Sequence, residues 1–413
     1  MKNGWTGGQY SLFRVIFGAY LFGHFVQLIP WSAEVFSNRG VLPQASASPL
    51  FYLMPNVLAL VDSPLAVCVL LVLGVGLSGL FLVGWHDRIA AALLWYVWAC
   101  LFSRNPLIAN PSLPFIGWLL LAHCCLPPAP YGSWAARGRA EPGGDWQMPP
   151  PIYGAAWVVM ALAYTYSGYT KLISPSWIDG TALARVLDNP LARPTFIRQA
   201  LLGLPDWLLC LATWSGLLLE LAFAPLALVA RLRPWLWTLM LGLHLTLIVL
   251  IDFADLSLGM VMVHLFTFDP AWVKVRPITA TELLFYDGHC GLCHRAVRFV
   301  LAEDVGGKAF RFAPLKGEAF RAAVSADEQA KLPDSLVLRT SEGKLLTRAR
   351  GVLHLMERLG GCWRILASIA RLVPAKLLDK LYDGVARIRY RLFQQPSEAC
   401  PLVGPELRKR FDV

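Results

Sequence analysis

The sequence predicts a polytopic α-helical membrane bundle of about eight spans, followed by a water-facing α/β domain with extra C-terminal helices. The 413-residue chain is 56% apolar and 15% charged, whereas soluble domains are about 45–50% apolar and about 25% charged. Long apolar runs fill the first two thirds, and the last third alternates strand-like and helix-like patterns. A Cys-x-x-Cys motif, Cys290 to Cys293, lies where the first of those strands gives way to a helix.

The predicted spans are apolar runs near the roughly 20 residues that a helix needs to cross a bilayer. The third, fourth and eighth runs are short or interrupted, so seven to nine spans fit the pattern, and we predict eight. The runs are 10–30, 58–84, 89–103, 106–127, 152–172, 207–230, 234–251 and 256–269.

The placement of Lys and Arg in the short loops predicts how these spans are oriented. An N-terminus on the inside leaves most of these residues in cytoplasmic loops, as the positive-inside rule requires. The first run lacks a clear small-residue cleavage site, so it is predicted to be an uncleaved span. We therefore expect an integral protein of the bacterial inner membrane whose C-terminal domain is cytoplasmic. The cytoplasm is reducing, so a disulfide there would be transient and catalytic.

Charge is concentrated in the C-terminal third. Residues 274–413 hold 24 Lys and Arg against 15 Asp and Glu, which is +9 of the total charge of +10. Such a surface suits an anionic membrane. We expect membrane lipid as a partner and no nucleic acid.

The element order of the C-terminal domain is the one seen in thioredoxin-like folds. Strand 282–286 leads to helix 291–304, and the pattern continues as β-α-β-α-β-β-α with Cys-x-x-Cys after the first strand. The later elements are strand 309–313, a helix near 316–330, a hairpin of strands 335–340 and 344–348, and helices 349–359, 362–371 and 375–393. The apolar pattern ends between Phe268 and Thr281, which predicts a membrane domain 1–272 and an α/β domain 281–413.

The last of these helices is amphipathic. Its apolar stripe either lies on the membrane surface or packs against the domain or the bundle. The stripe is formed by Leu377, Leu381, Val385, Ile388 and Leu392.

The two cysteines of the motif are the candidate redox pair. Unpaired N–H groups and the dipole at a helix N-terminus favour a thiolate. Cys290 is the expected nucleophile and the exposed sulfur, and Cys293 is the expected resolving thiol, shielded in the first turn. Asp287 could transfer a proton to Cys293 or cap the turn.

Neighbouring residues leave other interpretations open. His289 and His294 could stabilise a thiolate and make its reactivity depend on pH. Cys400 could be a third redox thiol. Alternatively, these three residues could complete a zinc site with the cysteine pair, since tetrahedral zinc needs four ligands; we predict no metal.

The C-terminal segment, over roughly 281–413, resembles the DCC family of thiol-disulfide oxidoreductases, named for an Asp-x-x-Cys-x-x-Cys motif. The resemblance implies that Asp287, Cys290 and Cys293 are the active-site residues. Its blocks are Tyr286-Asp287-Gly288-His289-Cys290-Gly291-Leu292-Cys293, Asp334-Ser335-Leu336-Val337-Leu338, Leu359-Gly360-Gly361-Cys362-Trp363, Arg389-Tyr390-Arg391 and Ala399-Cys400-Pro401-Leu402.

A second set of candidate site residues lies in the apolar region. Lys171 ends a predicted span, where a lysine commonly extends to the interface. Glu220 and His244 lie deeper, and ionisable groups there usually face the bundle interior. They either form a site or satisfy each other and nearby Ser or Thr side chains.

Residues 10–270 resemble the HTTM domain, the membrane domain shared with vitamin K-dependent gamma-carboxylase. The segment Gly168-Tyr169-Thr170-Lys171-Leu172 resembles the one that carries the carboxylase's catalytic lysine. Pro111 stands where the carboxylase segment has a functional histidine, so glutamate carboxylation is not expected. A quinone or lipid pocket in the bundle is compatible with the resemblance.

The leading hypothesis is a membrane-anchored thiol-disulfide oxidoreductase that acts on a protein or small-molecule disulfide or thiol. A possible extension is coupling to a quinone or lipid, although Lys171 is predicted on the membrane side opposite Cys290. One alternative is a bundle enzyme that acts on a lipid-soluble, quinone-like substrate, with a regulatory C-terminal domain. Another is a non-enzymatic accessory protein that binds metal.

Overall fold

A computed structural model describes residues 1–143, 146–275, 280–393 and 403–412. The chain forms two compact units. The first is helical and consists mainly of Phe13–Leu126 and Pro149–Phe268. The second contains Asp269–Val413 together with two earlier segments, Lys2–Leu12 and Pro127–Met148.

Helices occupy each of the eight apolar runs of the first unit. α4, for example, begins with Ser63, whose side chain accepts a hydrogen bond from the N–H of Ala66, and with Pro64 at its first position. It ends at Gly84, whose φ of 77° is the left-handed conformation that glycine adopts without strain. The helices are α1 Gly7–Leu28, α2 Ser32–Phe36, α3 Val57–Leu60, α4 Pro64–Val83, α5 Asp87–Arg104, α6 Leu113–Cys124, α7 Pro150–Lys171, α8 Pro175–Ile178, α9 Ala182–Leu187, α10 Phe196–Leu202, α11 Asp206–Leu221, α12 Phe223–Ala227, α13 Arg233–Leu250 and α14 Ala254–Thr267.

Three helical stretches among the described residues are long and apolar enough to cross a membrane: Gly7–Phe36, Pro64–Val83 and Arg233–Leu250. Helices α10 and α11 pass the same test together, but they are bent by 110°, so they could add a fourth span. These helices are consistent with membrane association. The eight predicted spans are not confirmed.

The second unit is built on a four-stranded mixed sheet in the order β2-β1-β3-β4. β1 is parallel to β2 and antiparallel to β3, and β3 and β4 form an antiparallel hairpin. Its elements are β1 Glu282–Tyr286, α15 Gly291–Glu303, β2 Phe310–Pro314, α16 Glu318–Ala323, α17 Ala326–Lys331, β3 Val337–Arg339, β4 Leu345–Thr347, α18 Arg348–Leu359, α19 Gly361–Ala370, α20 Ala375–Leu392 and α21 Pro405–Arg408.

This order confirms the predicted β-α-β-α-β-β-α pattern, with one difference. The helix expected near 316–330 is two short helices, because Ser325 and Glu328 form a capping box that starts α17. The predicted hairpin turn is present, and Gly343 adopts a φ of 81° there.

The sheet of the second unit separates two apolar cores. Side chains alternate across a strand, so Leu284 faces the core that contains Val297 of α15 and Leu355 of α18. Phe285 faces the opposite core, with Phe320 of α16. Helices on both faces bury β1, and its carboxyl end leads directly into the motif.

A buried carboxylate ties the N-terminal segment into the second unit. Glu303, at the end of α15, accepts hydrogen bonds from Thr6 Oγ1 at 2.6 Å and from the N–H of Gly8 at 2.9 Å. It also accepts one from Trp363 Nε1 at 2.5 Å. Gly8 lies in the first turn of α1, where a negative charge is favourable. The sequence did not predict that this segment belongs with the C-terminal region.

Candidate active site at the Cys-x-x-Cys turn

The cysteine pair lies at the predicted transition from strand to helix. β1 ends at Tyr286, and Cys290 is the N-cap residue of α15, with the extended backbone typical of that position. The N–H of Cys290 donates to the carbonyl of Asp287 at 3.2 Å, and the carbonyl of Cys290 accepts from the N–H of His294 at 3.0 Å. Cys293 is therefore in the first turn, and both cysteines are free thiols.

The exposure of the two sulfurs differs from the prediction. Cys290 is fully buried, and Cys293 is partly buried. The prediction that Cys290 is the exposed thiol is wrong, because the turn before it is held on two sides. His294 Nε2 hydrogen-bonds to the carbonyl of Gly288 at 2.9 Å, and Asp287 is bound by α20. A substrate must displace part of this cover to reach Cys290.

The thiol of Cys293 is held in its protonated form. Burial raises its pKa to about 12, and the adjacent Cys290 adds to the rise. The backbone of Asp287 and the positive charge of Arg389 act in the opposite direction. A thiol with such a high pKa is a strong nucleophile once it loses its proton, but little thiolate is present at neutral pH.

Asp287 caps the turn, as one of the two predicted roles requires. Its Oδ1 accepts a hydrogen bond from the N–H of His289 at 2.9 Å, and its Oδ2 accepts one from the hydroxyl of Tyr390. Burial alone would raise the pKa of Asp287. The hydrogen bonds from Tyr390 and His289, together with the charge of Arg389, outweigh burial, so the pKa lies below its usual range. Asp287 is thus ionised near neutral pH.

Arg389 supplies the compensating positive charge. Its Nη2 lies 3.5 Å from Asp287 Oδ2 and 2.7 Å from Asp334 Oδ1, and its side chain is almost completely buried. Burial would lower the pKa of Arg389, but hydrogen bonds to Asp334 and Tyr390 raise it well above its usual value. The arrangement offsets the repulsion that Asp287 alone would exert on a thiolate.

α20 therefore contributes directly to the cysteine site. Besides Arg389 and Tyr390, it carries Tyr382, whose hydroxyl accepts a hydrogen bond from the N–H of Leu336 at 3.0 Å. None of these three residues was among the site residues predicted from the sequence. The sequence contained one indication of them, the Arg389-Tyr390-Arg391 segment that resembles the DCC family. That segment does not by itself assign a role to any of its residues.

The other predicted auxiliary residues have different surroundings. His289 is exposed, whereas His294 is buried against Tyr286 with a ring-centroid distance of 5.9 Å. Cys400 lies outside the described residues. Within the part of the chain that is described, no group of three or more His, Cys, Asp or Glu side chains could hold a metal ion.

The second unit is similar to known proteins. Residues 284–395 match the family described as DCC1-like thiol-disulfide oxidoreductase. The chain is 30% identical over 134 residues to the uncharacterized protein YuxK of Bacillus subtilis (strain 168), covering 32% of this chain and 93% of that protein. The chain belongs to the DCC1-like thiol-disulfide oxidoreductase family. A chloroplastic DCC family protein of Arabidopsis thaliana is 28% identical over 135 residues, covering 32% of this chain and 77% of that protein. No solved structure matches the chain.

The DCC1-like match covers the whole site described above, from Asp287 to Tyr390. Membership supports a thiol-disulfide oxidoreductase role and implies thiol or disulfide substrates. It does not extend to the first 283 residues, so it leaves the HTTM-like assignment of the bundle as a prediction.

The predicted residues of the helical unit fall into two hydrogen-bonded groups outside the DCC1-like region. Lys171 Nζ lies 2.5 Å from both carboxylate oxygens of Glu220 and 4.4 Å from the centre of the Trp177 ring. Lys171 is thus paired and does not simply extend to an interface. His244 Nε2 hydrogen-bonds to the hydroxyl of Tyr164 at 2.8 Å. The suggested mutual pairing of Glu220 and His244 is not what the structure shows.

Proposed function

We propose that this protein is a membrane-anchored thiol-disulfide oxidoreductase whose redox pair is Cys290 and Cys293. The observation that carries the proposal is a free dithiol at the N-terminus of α15, inside the DCC1-like region and beside the buried cation Arg389. The strand order and directions support a thioredoxin-like fold for this domain.

The proposed reaction is a two-electron exchange. The thiolate of Cys290 attacks one sulfur of a substrate disulfide, and the other sulfur leaves as a thiolate that takes up a proton. This forms a mixed disulfide between Cys290 and the substrate. Cys293 then loses its proton to water and attacks the sulfur of Cys290, which breaks the mixed disulfide and releases the second substrate sulfur as a thiolate that also takes up a proton. The products are a Cys290–Cys293 disulfide and the reduced substrate. An external thiol must reduce the protein before the next turnover.

The roles of the two sulfurs follow from their positions. Cys290 is the N-cap residue of α15, at the helix end where a negative charge is favourable, so we assign it the role of nucleophile. Cys293 keeps its proton until the mixed disulfide forms, because its pKa is raised to about 12. Arg389 lowers the barrier to deprotonation of Cys293 through its charge, and Asp287 holds the turn.

Membrane anchoring completes the proposal. It is supported by the three apolar helices and by the +10 net charge. We further propose an HTTM-like bundle of eight spans over 1–272, a cytoplasmic domain over 281–413 and location in the bacterial inner membrane. Coupling to a quinone in the bundle remains a prediction.

The test uses the full-length protein purified in detergent and assayed for reduction of insulin and of a small aromatic disulfide. We expect Cys290→Ser to abolish turnover and Cys293→Ser to accumulate a mixed disulfide on Cys290. The matched control is Cys362→Ser, which removes another partly buried thiol of the same unit and should retain activity. Full turnover by Cys290→Ser would refute the proposal.

A second candidate function rests on the Lys171–Glu220 pair in the helical unit. A partly buried ion pair near the Tyr164–His244 hydrogen bond is costly in an apolar bundle, which suggests a site for a lipid-soluble, quinone-like substrate. In that case Lys171→Met would abolish the cellular function while Cys290→Ser leaves it intact. The reverse result favours the redox proposal.

A further inference from the structure

α20 exposes an apolar stripe along its length. Its five stripe residues are between 44% and 67% exposed, so the second unit does not bury this stripe in its own core. The side chains are three or four residues apart, so they share one face of the helix. They are Leu377, Leu381, Val385, Ile388 and Leu392.

Four cations border this stripe. Lys376, Lys380, Arg387 and Arg391 are all exposed, and among the described residues none of them forms an ion pair. Helical periodicity places them together along one edge of the stripe. An amphipathic helix with an apolar stripe and a basic border is typical of helices that lie in the interface of a bilayer.

We propose that α20 lies on an anionic lipid surface, with its apolar stripe in the acyl boundary and its four cations among the headgroups. The helix has 18 residues, so it extends about 27 Å along that surface. The proposal is separate from the proposed redox activity, because it concerns a face of α20 that does not touch the cysteine site.

Charge complementarity favours lipid over a second copy of this chain. In a two-fold dimer the same surface faces itself, which would bring the four cations of each copy close to those of the other. Like charges opposed across an interface are destabilising. Anionic headgroups instead neutralise all four cations, and apolar helices of the same chain can keep α20 near a bilayer.

Lipid contact would also determine where the redox site lies relative to the membrane. Arg389 and Tyr390 project from a different face of the same helix and bind Asp287. A lipid-bound α20 would therefore hold the Cys-x-x-Cys turn at the membrane surface.

The test is site-specific photo-crosslinking of the full-length protein in nanodiscs. One variant carries a diazirine amino acid in place of Leu381. The matched control carries it in place of Val305, an equally apolar residue that is 66% exposed in the same unit. Discs are made of phosphatidylcholine alone or with phosphatidylglycerol, and adducts are identified by peptide mass spectrometry.

We expect the probe at Leu381 to form lipid adducts at least fivefold more often than the probe at Val305 in the discs that contain phosphatidylglycerol. The double variant Lys380→Glu/Arg387→Glu should lower this yield about twenty-fivefold or more, because each of the two basic residues near an anionic surface contributes on the order of 1 kcal/mol, a factor of about five. Equal lipid labelling at the two positions would overturn the proposal. So would adducts of Leu381 that are mainly protein, whether a second copy of this chain or another partner.

Discussion

Replacement of Arg389 by Gln tests whether α20 holds the cysteine turn closed. The Arg389 side chain is 4% exposed and lies 3.5 Å from Asp287, which is 20% exposed. Its other carboxylate partner, Asp334, is 76% exposed, so solvent screens that pair and it contributes little. The loss of stability on substitution therefore comes mainly from the pair with Asp287. Among the described residues, Arg389 is the partner with which Asp287 forms an ion pair.

The expected magnitude follows from the position of this pair. Two unit charges about 4 Å apart interact by about 1 kcal/mol in water and about 4 kcal/mol at the effective dielectric constant of a protein surface. The pair is partly buried, so we expect a loss of about 2 kcal/mol. Because about 1.4 kcal/mol changes an equilibrium tenfold, the turn should open roughly thirtyfold more often.

The assay is maleimide labelling of Cys290 in the full-length protein in detergent, followed by peptide mass spectrometry. Cys290 is fully buried, so its labelling rate reports local opening of the turn. The matched control is Arg391→Gln, which removes an exposed cation two residues away. If Arg389→Gln labels Cys290 no faster than Arg391→Gln does, the assignment of Arg389 to the site is wrong.

Three further predictions concern the same unit. Alkylation of Cys293 should stay slow at neutral pH and rise only toward its pKa of about 12; a midpoint in the ordinary thiol range near 8.5 would contradict the assigned burial effect. The lowered pKa of Asp287 means that its contribution to stability is present above the unfolded-state pKa of about 3.9 and is lost as the pH falls through the lower folded-state value. Tyr390→Phe should shift this acid-induced loss of stability to higher pH, because it removes a hydrogen bond that lowers the pKa of Asp287. The loss is measured as the reaction of Cys290 with dithiodipyridine as the pH falls. An unchanged pH profile would show that the hydroxyl does not stabilise the carboxylate. Glu303→Ala should destabilise the docked N-terminal segment by about 3 kcal/mol, because it leaves hydrogen-bond donors without their acceptor. Amide hydrogen exchange of residues 2–12 should therefore accelerate, and it should accelerate less in Glu303→Gln. Unchanged exchange would rule out this anchoring role.

The elements around the motif could be predicted closely because their signals are local. Strand 282–286 matches β1, and helix 291–304 differs from α15 by one residue at its end. Both follow from side-chain periodicity and from where it changes. The prediction of one helix near 316–330 was less accurate, because the chain breaks at Ser325, where the side chains of Ser325 and Glu328 cap the start of a second helix.

The sequence by itself determined the chemistry and its local setting: two thiols one helical turn apart at the end of a buried strand, in a chain rich in apolar helices. Only the tertiary structure decided the surroundings of these thiols. It buried Cys290, and it brought Arg389 and Tyr390 to Asp287 across about a hundred residues of chain. It also paired Lys171 with Glu220 and joined residues 2–12 to the C-terminal region. Periodicity is a property of neighbouring residues and can be read along the chain. Burial and charge pairing depend on which distant segments meet, and that is set by the packing of the whole unit.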